Sequence, residues 1–181
     1  PDADFNGEMT LRYNVVDGEG GSVAAIQRYT VGAVNDAPTG DAAAILDDGV
    51  EDTAYAVTAA DLLAGFSDID GDELSVSGLS ASTGAVRDNG DGTYSITQAA
   101  NFNGPVTLSY DVVDGKGGEI AATLDYMVAA VNDAPAGAAD ATLADGAEDE
   151  RYTVSEADLL AGFADADGDA VTYALVSGPA G

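Results

Sequence analysis

The sequence contains no cysteine, histidine or tryptophan, and only five of its 181 residues are lysine or arginine. Without cysteine or histidine it cannot form a disulfide framework, a thiolate or imidazole metal site, a cysteine nucleophile or a histidine-based triad. So few basic residues cannot neutralise a phosphate backbone, which excludes nucleic acids and anionic membranes as partners. The missing thiols fit a reducing cytosol and a disulfide-free exported protein equally well, so the compartment stays open.

Long apolar runs are also missing. No stretch approaches the roughly 18 apolar residues of a membrane helix, so we expect no membrane insertion. The chain opens at Pro1-Asp2-Ala3 without the basic and then apolar segments of a secretory leader. We therefore expect it to be an internal part of a longer protein.

Acidic residues dominate what is present. The formal net charge is −28, and aspartate outnumbers glutamate by 25 to 8. Aspartate is typical of turns, caps and oxygen-ligand sites, whereas a charged coating on helices would favour glutamate. A solubilising acidic surface is the alternative, but it would scatter carboxylates along exposed strand faces, which here carry Thr107, Ser109 and Thr123. The hydrophobic content of 46% is sufficient for a packed core, which argues against an acidic disordered tail.

The chain repeats itself with a period of 97 residues. Residues 5–84 align on 102–181 without a gap, and about 45 of the 80 pairs are identical. The repeat predicts three parts: the C-terminal part of one repeat at 1–35, a complete repeat at 36–133, and the N-terminal part of the next at 134–181.

Hydrophobic residues within the repeat alternate with polar ones, which is typical of strands. Val106, Leu108 and Tyr110 share one parity, and a second such run covers 119–130. Further strands are predicted near 53–57, 73–79, 83–87 and 92–98, with Gly-rich hairpin turns at 88–92 and 114–118. Thr58-Ala-Ala-Asp61 and Ser155-Glu-Ala-Asp158 fit a helix capping box. The sequence thus predicts an all-β fold of seven-stranded β-sandwiches in tandem, with one short helix per repeat.

Carboxylates crowd at positions that recur in both copies. Asp68, Asp70 and Asp72 lie within five residues, and Asp165, Asp167 and Asp169 repeat them. Two carboxylates about 4 Å apart repel by roughly 4 kcal/mol at an effective dielectric near 20, so a cation is expected to stabilise such a group. Oxygen ligands alone favour Ca²⁺ and, less well, Mg²⁺. The motif is not an EF-hand loop, because its twelfth position is Leu79; a self-capped Asp-rich turn is the alternative.

The order of these motifs resembles a known family. Val131-Asn132-Asp133-Ala134-Pro135 and the Asp-x-Asp loop resemble cadherin repeats, and more closely the bacterial cadherin-like tandem repeats of very large RTX-type surface adhesins. The resemblance implies Ca²⁺ at the junctions between repeats. The implied ligands at the first junction are Asn35, Asp36, Asp68, Asp70, Asp72 and Asp114. Those at the second are Glu51, together with either Asp52 or Asn101, and Asn132, Asp133, Asp165, Asp167 and Asp169. Glu148 is the counterpart of Glu51 in the next copy.

The resemblance also implies a function. We expect a non-catalytic, calcium-rigidified extender module of an adhesin at the bacterial cell surface, in contact with neighbouring repeats. A Ca²⁺-dependent carbohydrate-binding module of an exported multidomain protein is the alternative, and a paired-carboxylate hydrolase is disfavoured because the acids lie in repeated turns. One departure is Ala100-Asn101-Phe102-Asn103-Gly104, which replaces the acidic Asp-Arg-Glu element of eukaryotic cadherins. The two partial repeats are expected either to associate head to tail between chains or to belong to a longer chain of which this sequence is a part.

Overall fold

The computed structural model describes residues 2–174, so the last seven residues of the third predicted part lie outside the described residues. The strands are β1 (Gly7–Val16), β2 (Ser22–Val31), β3 (Thr39–Gly40), β4 (Gly49–Val50), β5 (Tyr55–Thr58), β6 (Phe66–Ser67), β7 (Ser75–Ala81), β8 (Ala85–Asp88), β9 (Thr93–Thr97), β10 (Gly104–Val113), β11 (Glu119–Ala129), β12 (Ala136–Gly137) and β13 (Phe163–Ala164). The helices are α1 (Ala59–Leu63) and α2 (Glu156–Leu160). No helix among residues 2–174 is long and apolar enough to cross a membrane.

Two sheets form the sandwich of the complete repeat. One has the strand order β4-β11-β10-β7 and the other the order β5-β9-β8. A short antiparallel pair, β3-β6, adds to them. All four of the further strands expected from the periodicity are present, shifted by at most two residues. The all-β prediction is therefore confirmed, and the complete repeat contains one short helix, as expected.

The core follows from the alternation in β10 and β11. Val106, Leu108 and Val112 have no exposed surface, and the Tyr110 side chain is also buried. On β11, Leu124, Tyr126 and Val128 point to the same interior, because residues two apart in a strand share a face. Gln98 donates from Nε2 to the Tyr126 hydroxyl at 3.2 Å.

Helix α1 closes one end of this core. Thr58 accepts the Asp61 N–H at 3.1 Å, and the Asp61 carboxylate accepts the Thr58 N–H at 3.2 Å, which makes the predicted capping box. The cap places Leu62 in the interior, where it is 0% exposed. The buried Tyr110 hydroxyl donates to the Leu62 carbonyl oxygen at 2.7 Å, so the helix is tied to β10.

Parts of the structure of the complete repeat recur before and after it in the chain. Hairpin β1–β2 has the register of β10–β11, pairing Gly7 with Val31 as Gly104 pairs with Val128. After the complete repeat, β12 pairs with β13 as β3 pairs with β6, and α2 has the capping box of α1. These parts carry core-type side chains without the rest of a core, and Tyr13 is 49% exposed where Tyr110 is 3% exposed.

Candidate metal centre

Two short loops gather the carboxylates that the sequence places within five residues of one another. Asp68 Oδ1 accepts the backbone N–H groups of Asp70 at 2.9 Å and Asp72 at 3.3 Å. Gly71 takes a φ of 78°, which a glycine adopts without steric cost. As a result, Asp68, Asp70 and Asp72 each offer an oxygen within 4.8 Å of the others.

The second loop has the same local conformation. Asp165 Oδ1 accepts the N–H groups of Asp167 at 3.0 Å and Asp169 at 3.2 Å. Gly168 has a φ of 80°. Because the loop sequence repeats, its hydrogen-bonded turn repeats as well.

The linkers contact these loops through the same hydrogen bond in both junctions. In the first junction, which we define as linker 34–38 with loop 68–72, the Asp36 N–H donates to Asp70 Oδ2 at 2.8 Å. In the second junction, linker 131–135 with loop 165–169, the Asp133 N–H donates to Asp167 Oδ2 at 2.7 Å. Each linker is therefore fixed to the loop of the repeat that follows it.

Glu51 joins the second junction from the complete repeat. Its side chain is buried, with 3% of its surface exposed. Oε1 accepts the Val131 N–H, and Oε2 accepts from Asn103 Nδ2 at 3.3 Å. Glu51, Asp133 and Asp167 offer oxygens within 4.8 Å of one another, so one group of carboxylates combines the complete repeat, the linker and the following loop.

Asp52 and Asn101 are the other residues that the complete repeat contributes to the second junction. Both have left-handed backbone conformations, with φ values of 58° and 57°. The Asn101 N–H donates to Asp52 Oδ1 at 3.0 Å. The end of the Asn101 side-chain amide lies 3.1 Å from Asp133 Oδ2 and 3.3 Å from Asp52 Oδ2, and as a nitrogen it donates to both. In the presence of a cation, the amide oxygen would be the better group to turn inward.

Asp114 supports the first junction from the turn between β10 and β11. It is buried, and its carboxylate accepts the N–H groups of Lys116 at 2.7 Å, Gly117 at 3.0 Å and Gly118 at 2.9 Å. Asn35 Nδ2 donates to Asp114 Oδ2 at 2.7 Å. The Asn35 side-chain bond, followed by these backbone bonds, lowers the pKa of Asp114 below 3.8.

Crowding of like charges is visible in both linker aspartates. Desolvation raises the pKa of Asp133 above 3.8, and the carboxylates of Asp167, Asp52, Glu51 and Asp165 raise it further. Desolvation likewise raises the pKa of Asp36, with Asp4, Asp70 and Asp68 adding to the effect. Both linkers thus hold a carboxylate where negative charge is unfavourable unless a cation compensates for it.

The oxygen groups fit a hard divalent cation. Asp68 Oδ2 is buried and has no hydrogen-bond partner among residues 2–174, which leaves a lone pair directed into the protein without compensation. Carboxylate and amide oxygens are the ligands of Ca²⁺, and the described residues offer no competing thiolate or imidazole. The acidic clusters therefore meet the requirements of a metal-binding site.

The remaining predicted ligands have other surroundings. Asn132 Nδ2 donates to the Asp133 carbonyl oxygen at 2.8 Å, as Asn35 does to that of Asp36. Asp72 accepts from Lys116 Nζ at 2.9 Å. Glu148 is exposed and belongs to no acidic cluster in the described part of the chain. The sequence did not identify Asn103 and Lys116 as residues of the site. The Phe-Asn-Gly motif that recurs at 5–7 and 102–104 is the signal that could have indicated Asn103.

Comparison with known proteins identifies a domain family. A model of the cadherin-like domain family matches residues 34–129 and 131–181. No curated protein matches. Among solved structures, the endo-fucoidan hydrolase MfFcnA4 of glycoside hydrolase family 107 is similar over 72% of this chain at 21% identity with a TM-score of 0.40, and a variant of that enzyme at 20% identity with the same coverage and score. The chain spans 20% of the length of each. It belongs, in two copies, to the cadherin-like domain family.

Proposed function

We propose that this chain is a calcium-stiffened, non-catalytic spacer of an extracellular multidomain protein, in which each junction holds consecutive sandwiches in line. The observation that carries the proposal is the carboxylate group of Glu51, Asp133 and Asp167, since these three residues come from the complete repeat, the linker and the next loop. A cation held by all three would couple the two repeats.

The chain's own residues prepare this coupling. The Glu51 carboxylate holds the start of the linker through the Val131 N–H, and the Asp167 carboxylate holds its centre through the Asp133 N–H. Pro135 then restricts the preceding residue to an extended conformation. Bound Ca²⁺ supplies positive charge and accepts six to eight oxygen ligands, which offsets the repulsion between these carboxylates.

Sites of this type in extracellular modules bind calcium at about 10⁻⁴ to 10⁻³ M, which suits a compartment that is always rich in calcium. In an extracellular location, a site of such affinity would stay occupied. In the finer form of the proposal, the parent protein is a bacterial surface adhesin of the RTX type, and the spacer projects a distal binding domain away from the cell.

Small-angle X-ray scattering tests whether calcium holds consecutive sandwiches in line. A polypeptide of several consecutive copies of residues 37–133, one 97-residue period each, is measured in calcium, in magnesium and in EDTA. We expect a longer maximum dimension in calcium than in EDTA, with magnesium close to EDTA because it dehydrates reluctantly. Copies carrying both Asp70→Asn and Asp133→Asn are the control and should respond to none of these conditions, because Asp70 is the counterpart of Asp167 within the complete repeat. An unchanged maximum dimension in the unmodified polypeptide would refute the proposal.

A second candidate is a Ca²⁺-dependent carbohydrate-binding module of an exported multidomain protein. It is favoured by a shallow groove of about 340 Å³ on the outer face of the four-stranded sheet, lined by polar groups that include Ser80, Ser109, Asp111 and Thr123. Retention on a panel of immobilised neutral and acidic polysaccharides, with Asp111→Asn as the groove variant, tests it. Calcium-dependent retention that this variant abolishes would favour the second candidate over a pure spacer.

A further inference from the structure

We propose that the residue at the position of Asn101, which is Asp4 in the preceding copy, sets how strongly each junction depends on calcium. This inference rests on the proposed function, because it assigns a role within the same metal centre. An amide at this position holds a junction closed without the ion. A carboxylate gives a junction that binds the ion more tightly and is strained without it.

The backbone restricts the residue types at this position. Asn101 has a φ of 57° and its counterpart Asp4 has a φ of 59°, both in the left-handed region. Asparagine and aspartate enter this region more readily than most residues with a side chain, because their short polar groups form local hydrogen bonds. The fold therefore favours either a neutral amide or a carboxylate here, and the chain contains one of each.

In the second junction, the amide lies between two carboxylates. The end of the Asn101 side chain lies 3.1 Å from Asp133 Oδ2 and 3.3 Å from Asp52 Oδ2. With nitrogen at this end, the amide donates to both carboxylates and bridges the linker to the complete repeat. The Asn101 backbone N–H also donates to Asp52 Oδ1 at 3.0 Å, which fixes the residue beside its partners. Asn101 thus compensates negative charge at the junction without an ion.

The same amide has to turn when a cation binds. A cation takes oxygen ligands, whereas the amide nitrogen offers only donor hydrogens. Rotation about the Cβ–Cγ bond of Asn101 brings its oxygen inward, and this breaks the N–H bonds to Asp133 and Asp52. Calcium binding at this junction therefore has to offset the loss of those bonds, which lowers the affinity.

In the first junction, the corresponding side chain is already a carboxylate. Asp4 lines the same cavity as Asp36 and Asp70. Desolvation raises the pKa of Asp36, and among the neighbouring charges that of Asp4 contributes most. An ionised carboxylate cannot donate to Asp36, so the linker is repelled until a cation binds, and no amide bond has to break. The two junctions thus place opposite chemistry at the same backbone position.

Isothermal titration of the full 181-residue chain with calcium tests the proposal. An Asp70→Asn background weakens the first junction, so that the second is measured. Asn101→Asp should then bind calcium on the order of ten-fold more tightly, because it adds a charged ligand and has no amide bonds to break. Conversely, Asp4→Asn in an Asp167→Asn background should weaken calcium binding at the first junction by a similar factor.

Two further variants separate this effect from charge and from backbone strain. Asn14→Asp adds the same charge on β1, at a position whose counterpart is already Asp111, and should leave the calcium affinity unchanged. Asn101→Gly suits the left-handed backbone but has no side chain, and should bind calcium more weakly than Asn101→Asp.

Thermal unfolding in EDTA and in calcium gives a second readout. In EDTA, Asn101→Asp should have a lower Tm than the unmodified chain, because Asp133 and Asp52 lose their shared donor and gain a repelling charge. Calcium should raise the Tm of Asn101→Asp by more than that of the unmodified chain, because the tighter-binding variant gains more stability from the ion. A role of Asn101 in packing alone would lower the Tm equally in both conditions.

NMR follows the amide itself. The Asn101 side-chain N–H signals are assigned by their absence in Asn101→Asp. They should exchange with water more slowly in EDTA than in calcium, because the carboxylates hold them only when no ion is bound.

The outcomes distinguish this inference from the proposed function. Absence of calcium binding in the Asp70→Asn chain would overturn both. Calcium binding that Asn101→Asp fails to tighten would overturn this inference alone and leave the metal centre in place. Side-chain N–H signals of Asn101 that do not respond to calcium would have the same consequence.

Discussion

The backbone N–H of Asp133 donates to the Asp167 carboxylate at 2.7 Å, across the boundary between the linker and the next repeat. The same bond joins Asp36 to Asp70 at 2.8 Å in the first junction. Because this bond recurs with the 97-residue period, it is a feature that both junctions share. It positions the linker aspartate beside carboxylates that repel it, and the proposed dependence of the junction on a cation rests on this repulsion.

Asp167→Asn should weaken calcium binding at the second junction on the order of ten- to hundred-fold, because the group loses one of its charged ligands. Isothermal titration of the 181-residue chain measures this. Asp145→Asn removes one negative charge from an exposed loop position and is the matched control. An equal loss in both variants would mean that overall charge, and not the cluster, attracts the cation.

Glu51→Ala should lower the free energy of unfolding of the complete repeat by about 1–3 kcal/mol in calcium, because the Val131 N–H and Asn103 lose their buried acceptor. The loss should be smaller in EDTA, where removing the carboxylate also relieves its repulsion of Asp133 and Asp167. Urea denaturation measures both values. Glu148→Ala, the same change at the exposed counterpart, should have no effect, and an equal effect would contradict the role of burial.

Lys116→Met should raise calcium affinity at the first junction about two- to five-fold at low salt, since it removes the ammonium that compensates Asp72. Titration in an Asp167→Asn background isolates this junction. Lys116→Arg keeps the charge and should leave the affinity close to that of the parent. The gain should shrink with added salt, because the Lys116 side chain is 60% exposed.

Tyr110→Phe should destabilise the complete repeat by about 1–2 kcal/mol, because the Leu62 carbonyl oxygen loses its donor in a buried site. Thermal and urea unfolding give the value. Tyr13→Phe is the matched control for this measurement, since Tyr13 is exposed and contributes nothing to that core. If both variants unfolded alike, the hydroxyl bond would have no role in stability.

Thr93→Val should raise the pKa of Asp91 toward 3.8. The Thr93 hydroxyl, followed by the Thr93 N–H, lowers that pKa in the folded protein. A carboxylate with a lowered folded pKa stabilises the fold above its unfolded value of 3.8, and this stability is lost as the pH falls through the folded pKa. NMR titration of the Asp91 carboxyl group follows the shift, and Ser95→Ala, two residues further along the same strand β9, serves as a control. An unshifted pKa in Thr93→Val would contradict the assignment.

Much of this protein follows from local sequence. The alternation in β10 and β11 predicts which residues are buried, because side chains of a strand alternate between faces. The capping boxes at Thr58 and Ser155 predict where the helices begin. The Asp-x-Asp-Gly-Asp loops form the same turn twice, since their hydrogen bonds stay within five residues of the chain.

Other features depend on residues that are distant in the chain. The role of Asn103 rests on a contact with Glu51, 52 residues away. The Lys116–Asp72 ion pair joins residues 44 apart in sequence. No local periodicity encodes such pairs, because the turn between β10 and β11 and the Asp68–Asp72 loop meet only after both sheets have formed.

The sequence by itself determined the repeat, the strand alternation, the helix caps and the residue types available to a cation, because each of these is a local or periodic property. Only the tertiary structure decided which acids come together at a junction. Glu51 is buried beside Asp133 and Asp167 because residues distant in the sequence, among them Asn103 and Val131, surround its carboxylate.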